Sequence, residues 1–186
     1  MDTQNFIFQK CMDSKEKSPL NIVGEIFKNP DFPQAGKDHH SLVAACMISA
    51  YANTSELNDN EKKELLEKGI QKADCLPGGF CAGYGADAAA ISLGISVSVI
   101  LGNNIKAETA KGRGKAHTLT GMGMLDIANN HGNRCCRRST YSMLILGTNY
   151  FNQSMGVNLE EPRLSKLKCS LRDNNPLCNQ EYCKFY

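Results

Sequence analysis

Tryptophan is absent from the 186-residue chain, and Phe and Tyr bring the aromatic share to only 7%. So small a supply argues against a base-stacking platform or an aromatic carbohydrate cleft. The longest stretch without charge lies between Asp87 and Lys106, and Ser92, Gly94, Ser96, Ser98, Gly102, Asn103 and Asn104 interrupt it. It is too short and too polar to span a bilayer. There is no P-loop lysine, no strand–GxGxxG–helix unit and no G-x-S-x-G elbow. Nucleotide binding, S-adenosylmethionine binding in the Rossmann manner and serine-hydrolase chemistry therefore have little support. The opening residues, MDTQNFIFQKCMDSKEK, lack a basic segment followed by an apolar one. That predicts a cytoplasmic chain, in a compartment where thiols stay reduced.

What is present in excess is cysteine, at nine residues. An odd number cannot all pair within one chain, so core positions, metal ligands or redox thiols are better expectations than disulfides. Hydrophobic content of 41%, charged content of 22% and a net charge of +2 fit a folded domain with no strong pull on an acidic or basic partner. Charge is uneven: residues 1–104 carry 9 basic and 13 acidic side chains, and residues 105–186 carry 12 and 6. Only part of that excess is clustered, in Arg134-Cys135-Cys136-Arg137-Arg138, so a nucleic-acid partner is not expected.

The spacing of apolar residues predicts one all-α domain over residues 1–186, with an N-terminal arm to about residue 17 and an irregular tail from about 164. Ser18-Pro19 opens a helix through Leu20, Val23, Ile26 and Phe27, closed by Pro30 and Pro33. A second, central helix is expected from Asp38 through Asn53. Asn58 and Glu61 have capping-box spacing ahead of a third. The stretch ISLGISVSVI alternates like a strand, but the alanines before it favour a buried helix over about 87–101. Further helices are expected over 106–129 and from a Ser139 cap, the latter stopped by Gly156 and Pro162.

Four groups of residues are candidates for chemistry. Cys169, Cys178 and Cys183 sit in a tail with little apolar sequence to explain them as core, which suits thiolate ligands of a metal or an iron–sulfur cluster. Exposed or disulfide-forming thiols are the alternative. Arg134 and Arg137 flank Cys135 and Cys136, where guanidinium charge favours thiolate and offsets an anionic cluster or substrate; the alternative is a basic turn with two incidental thiols. Gly78, Gly79, Gly83 and Gly85 surround Cys81 in a turn whose amides can form an anion nest. Asp87 follows, and tight packing is the plainer reading of those glycines. His39 and His40, expected at the start of the central helix, are candidates for ligation or base work, or for a simple cap. Cys11, Cys46 and Cys75 read as incidental.

In their order along the chain, His39-His40 before a helix ending Tyr51-Ala52-Asn53, LPGGFC at 76–81, RCCRR at 134–138 and the ending Cys183-Lys184-Phe185-Tyr186 resemble a cysteine-rich family of unknown function. That family is found in anaerobic bacteria and methanogens, and some of its members are joined to a methyltransferase module. The likeness runs from about residue 38 to the end. A looser similarity exists to cysteine-rich redox-type proteins. After the glycine turn the family pattern is Gly-Ala-Cys-Gly-Ala, whereas this chain has Gly85-Ala86-Asp87-Ala88-Ala89. The resemblance implies cysteine-centred chemistry without naming a reaction.

The expectation is thus a protein that holds an iron–sulfur cluster, or alternatively zinc, through Cys81, Cys135 or Cys136, Cys169, Cys178 and Cys183. All six thiols would share one pocket, with the tail over the glycine turn and His39 or His40 at its side. A small anionic substrate or a redox partner protein would use it, and the oligomeric state stays open. A metal-free thiol-redox enzyme built on Cys81 or Cys135, and a zinc-stabilised interaction module, are the competing expectations.

Overall fold

Helix α3, Leu42–Thr54, is apolar on every side, and ten of its thirteen residues are buried. A helix of that kind has to be surrounded. A computed structural model describes residues 2–161, 167–172, 174–176 and 178–186. Around α3 it places α1 (Thr3–Asp13), α2 (Pro19–Phe27), α4 (Asp59–Asp74), α6 (Ala88–Ile100) and α8 (Cys136–Tyr150). The short α5 (Phe80–Gly83) precedes α6, and α7 (Ala110–Asn129) packs outside α6. Among the described residues there are eight α-helices and no strand, so the chain is all-α and ISLGISVSVI is helical.

Small residues let the layers close. A side chain at Gly94 of α6 would run into Thr120 Oγ1 and the Ala116 carbonyl of α7. Polar atoms inside the bundle are paired across helices. The Ala44 amide, left over in the first turn of α3, donates to Ser92 Oγ of α6 at 2.9 Å. Ser49 Oγ donates to the Cys11 carbonyl of α1 at 2.7 Å. The capping box of α4 is present, with the Asn58 side chain accepting from Asn60 and Glu61.

Several boundaries differ from the sequence expectation. The segment before α3 is a separate 3₁₀ turn, Lys37–His39, entered through Gly36 at φ +128°, so His39 and His40 precede α3 and do not form its first turn. A 3₁₀ turn, Ala107–Thr109, likewise precedes α7. Ser139 is not the cap of α8: the helix begins three residues earlier, and Cys135 is the cap because its sulfur accepts the Arg138 amide. At its far end α8 runs into a π-helical turn, Phe151–Met155, closed by Gly156 in the left-handed region. Pro162 lies outside the described residues. The expected N-terminal arm contains α1, whose Ile7 and Cys11 are fully buried.

The tail docks on the outer ends of α7 and α8. Phe185 is buried against the Tyr141 ring, 5.3 Å between centroids, and its carbonyl accepts the Cys169 amide at 2.8 Å. Lys184 Nζ lies 3.7 Å from Asp126 Oδ2. The Asn133 amide donates to Asn179 Oδ1 at 3.0 Å. No described helix is long and apolar enough to cross a membrane.

Lys62 is 2% exposed, and its ammonium donates to the Met12 and Ser14 carbonyls and to Asn53 Oδ1, at 2.8–3.0 Å. It satisfies the open carbonyl end of α1. Lys62→Met is expected to lower unfolding free energy by about 3 kcal/mol, since it leaves three acceptors unmatched. Urea unfolding followed by circular dichroism measures this, and Lys63→Met on the exposed face serves as the control.

Candidate functional site

The polar residues that α3 and α6 cannot carry inside the bundle collect where these helices begin. His39 and His40 precede α3, Cys81 and Asp87 precede α6, and Cys135 and Cys136 open α8. All six line one cleft, with Arg134 at its edge; its space is about 290 Å³, including the open mouth. A second cleft, of about 420 Å³ with its mouth, lies on the tail side of α8 and is lined by Cys135, Arg137, Tyr141, Cys169, Cys178 and Cys183. The six thiols therefore do not share one pocket. Cys135 faces both clefts, Cys81 and Cys136 belong to the histidine cleft, and the tail thiols belong to the other. The reason is helical geometry: residues 135–138 turn about the α8 axis, so successive side chains point to different sides.

In the histidine cleft both imidazoles are fixed as neutral tautomers. His39 Nε2 lies 2.9 Å from the Pro33 carbonyl and His40 Nδ1 lies 3.3 Å from the Leu76 carbonyl, so those nitrogens carry the protons. His39 Nδ1 is left as a buried acceptor with no partner. Burial among Phe27 and Phe32 lowers the His39 pKa from 6.5 to about 4, outweighing the bond to Pro33. Burial lowers His40 as well. The rings are neutral because they are desolvated, and not because they sit on the first turn of a helix.

Asp87 caps α6. Its Oδ1 accepts the Ala89 amide at 2.8 Å and its Oδ2 accepts Ser139 Oγ at 3.3 Å. The Ala88 amide is taken by Cys81 Sγ at 3.3 Å. The start of α6 is thus occupied by this chain's own groups. Gly78, Gly79, Gly83 and Gly85 line neither cleft; Gly79 and Gly85 serve the turn, at φ +77° and +68°. Burial pushes the Cys81 thiol up to about 11, and the Asp87 carboxylate adds to the rise. Burial also raises Cys136 and Cys169, against the pull of the neighbouring arginines.

The tail cleft holds a buried cation with no carboxylate beside it. Arg137 is 2% exposed, stacked 3.8 Å from the Phe27 ring centroid, and its Nη1 donates to Ser170 Oγ at 3.0 Å. The groups of opposite potential charge that face it are Tyr141, whose oxygen also accepts a hydrogen bond from it, Cys169 and Cys135, none of them a carboxylate. Its Nε–H is buried without a partner. The sulfurs here accept backbone amides: Cys135 from Arg138 at 3.5 Å, Cys178 from Gln180 at 3.3 Å, and Cys169 from Leu171. In the histidine cleft Cys136 accepts from Gly36. Among the described residues no three His, Cys, Asp or Glu side chains are grouped to hold a single metal ion.

Ser139, Tyr141, Ser170 and Gly36 take part in these arrangements without any local signal in the sequence. Phe27 and Ser170 reach Arg137 only through the fold. Cys75 is exposed, and Cys11 and Cys46 are free thiols, fully buried and hydrogen-bonded to each other.

An all-α protein with cysteines lining two clefts on either side of the start of α8 is the class that fold and site define. The chain belongs to the family of unknown function DUF5714, which matches residues 7–186. The match includes most of α1, so it extends further toward the N-terminus than the motifs alone indicated. No curated protein and no solved structure gives a match to this chain.

His39 binds protons more weakly in the folded state than in the unfolded one. Between pH 6.5 and about 4 the unfolded chain therefore carries the extra proton, and stability falls as pH drops. The His39 contribution is fully present above pH 6.5, and its loss amounts to about 3 kcal/mol by pH 4. Unfolding free energies measured across this window are expected to flatten in His39→Phe.

Proposed function

We propose that this protein binds an iron–sulfur cluster in the tail cleft through Cys135, Cys169, Cys178 and Cys183, and works as a redox protein. The observation that carries the reading is Arg137, a buried guanidinium whose Nε–H lacks an acceptor and whose neighbours of opposite potential charge are thiols. Arg remains protonated in proteins, so an anion is needed beside it. Thiolates bound to iron, with the cluster's sulfide, would supply that charge and that acceptor. Backbone amides aimed at Cys135, Cys169 and Cys178 add support, because a metal-bound thiolate accepts a hydrogen bond far better than a thiol does.

When bound, the cluster would supply a one-electron couple, taking an electron from a reduced partner protein and passing it to an acceptor, with no atom transferred. The chain's own groups do the rest. The four thiols release their protons and ligate, Arg137 offsets the negative charge, and Phe185 and Tyr141 keep water from one wall. Cys81 and Cys136, placed in the expectation among the ligands, would border the adjoining cleft. A small anionic group would enter there beside Arg134.

The zinc-stabilised module has less support, since among the described residues no three donors are grouped for one ion and zinc needs sulfurs about 2.3 Å from the metal. The metal-free thiol enzyme has less support at Cys81, whose raised pKa holds it as an unreactive thiol at neutral pH.

Protein purified without oxygen is expected to show visible charge-transfer absorption and to carry stoichiometric iron and sulfide. Cys169→Ala and Cys178→Ala should each lower bound iron about tenfold or more, while Cys75→Ala leaves it unchanged. Arg137→Met should retain helical content and shift the reduction potential. Protein that carries no iron and sulfide, or that carries zinc without sulfide, overturns the reading.

A further inference from the structure

The rim of the tail cleft is cationic. Residues 131–138 and 167–186, which supply most of its walls, carry six basic side chains, Arg134, Arg137, Arg138, Lys168, Arg172 and Lys184, against two acidic ones, Asp173 and Glu181. Asp126 of α7 reaches the same end of the molecule, where Lys184 answers it at 3.7 Å. Arg137 is inside the cleft, and the remaining charge is at its border. Arg138 is half-buried in the lining, and Arg134 and Lys168, both exposed, directly precede the lining residues Cys135 and Cys169. Within this rim stands one large aromatic side chain. Tyr182 is 87% exposed and is followed by Cys183, whose amide donates to the Gln180 carbonyl at 2.8 Å and so fixes the turn that presents the ring.

Exposed cations do little for the stability of the fold, but several of one sign around a cleft set up a field. Such a field draws in a partner of opposite charge and orients it before contact. An exposed tyrosine amid charges is the residue type that anchors protein contacts, since it buries a large area for little loss of freedom. A nucleic acid fits less well: one ring is no stacking platform, and Glu181 stands exposed in the path of a phosphate chain. Electron-transfer contacts are small and brief, and charge steering suits them more than a wide apolar interface does.

We propose that the rim of the tail cleft is the docking face for an acidic electron-carrier protein, steered by Arg134, Arg138 and Lys168 and anchored by Tyr182. The docking face rests on the proposed redox role, to which it adds the class of partner and the place of contact. The carrier gives up one electron to the tail cleft, and no bond forms or breaks.

The test uses the whole chain, purified without oxygen, with a plant-type ferredoxin as acidic carrier and cytochrome c as basic control. Calorimetry measures binding at about 25 and about 200 mM sodium chloride, and stopped-flow absorbance follows mixing with reduced ferredoxin. Iron, sulfide and reduction by dithionite are measured on the same preparations. Absence of iron counts against the redox role, whereas iron-loaded protein that dithionite reduces and ferredoxin does not bind counts against the docking face alone. Ferredoxin is expected to bind and to transfer its electron, with affinity lower by about tenfold or more at the higher salt. Arg134→Glu and Lys168→Glu should each weaken binding about fivefold at low salt, and Tyr182→Ser by about as much at both salt concentrations. All three positions are exposed, and circular dichroism checks that helical content is kept. Lys111→Glu, about 22 Å back along α7 from Asp126, should leave binding unchanged. No binding of ferredoxin, equal binding of cytochrome c or of single-stranded DNA, or rim variants that bind as well as Lys111→Glu overturns the proposal.

Discussion

A helix that is apolar on all sides dictates the arrangement of everything next to it. Enclosing α3 takes helices on each side, and α6, almost equally apolar, needs the same treatment. The two satisfy one another through Ala44 and Ser92, and α8 completes the packing. Neither α3 nor α6 has room for charged side chains along its length, so polar chemistry is displaced to the places where they begin. The segment before α3 and the starts of α6 and α8 line the same cleft. The site is in this sense a product of the core: its position follows from where apolar helices have to start.

Arg137 turns that geometry into an electrostatic requirement. Its stack on Phe27 is worth about 2 kcal/mol in a desolvated setting. Burying an uncompensated cation costs several kcal/mol even after the surroundings relax. Alongside aromatic stacking and the hydrogen bonds to Ser170 and Tyr141, a negative charge at about 4 Å would add about 4 kcal/mol at an effective dielectric of 20. Cys135 and Cys169 are the neighbours able to become that charge. Burial raises the Cys169 thiol; ionised and ligated, the two would resolve the conflict. The same desolvation that raises the Cys169 pKa is thus the source of the demand for a partner.

Helix content and the core were legible in the chain because they rest on local signals. Ser18-Pro19, the Asn58–Glu61 box and the apolar stretches of 42–54 and 88–100 each decide their own segment. The start of α8 was not legible from Ser139, because a cysteine sulfur took the capping role that hydroxyl and carboxylate side chains usually hold. The candidate residues were legible by type: histidines, arginines and cysteines stand out in a chain short of competing motifs. Their grouping was not, since it depends on which way residues 135–138 face once α8 is wound and on where a tail with little periodicity comes to rest. The four glycines beside Cys81 show the limit of composition as a guide. They shape a turn, and the first amides of the helix that follows, those of Ala88 and Ala89, are taken by Cys81 and Asp87.

Cys135 and Cys136 are successive residues, with α-carbons about 3.8 Å apart, yet Cys136 lines only the histidine cleft while Cys135 borders both. The two clefts adjoin at Cys135. Two compartments so close cannot be independent thermodynamically. Charge gained or lost on one side alters the field on the other, and whatever occupies the histidine cleft would bias the electron affinity of the tail cleft. By reciprocity the oxidation state would bias occupancy by the same factor. A dipeptide at the start of one helix would then make two neighbouring sites a single linked system.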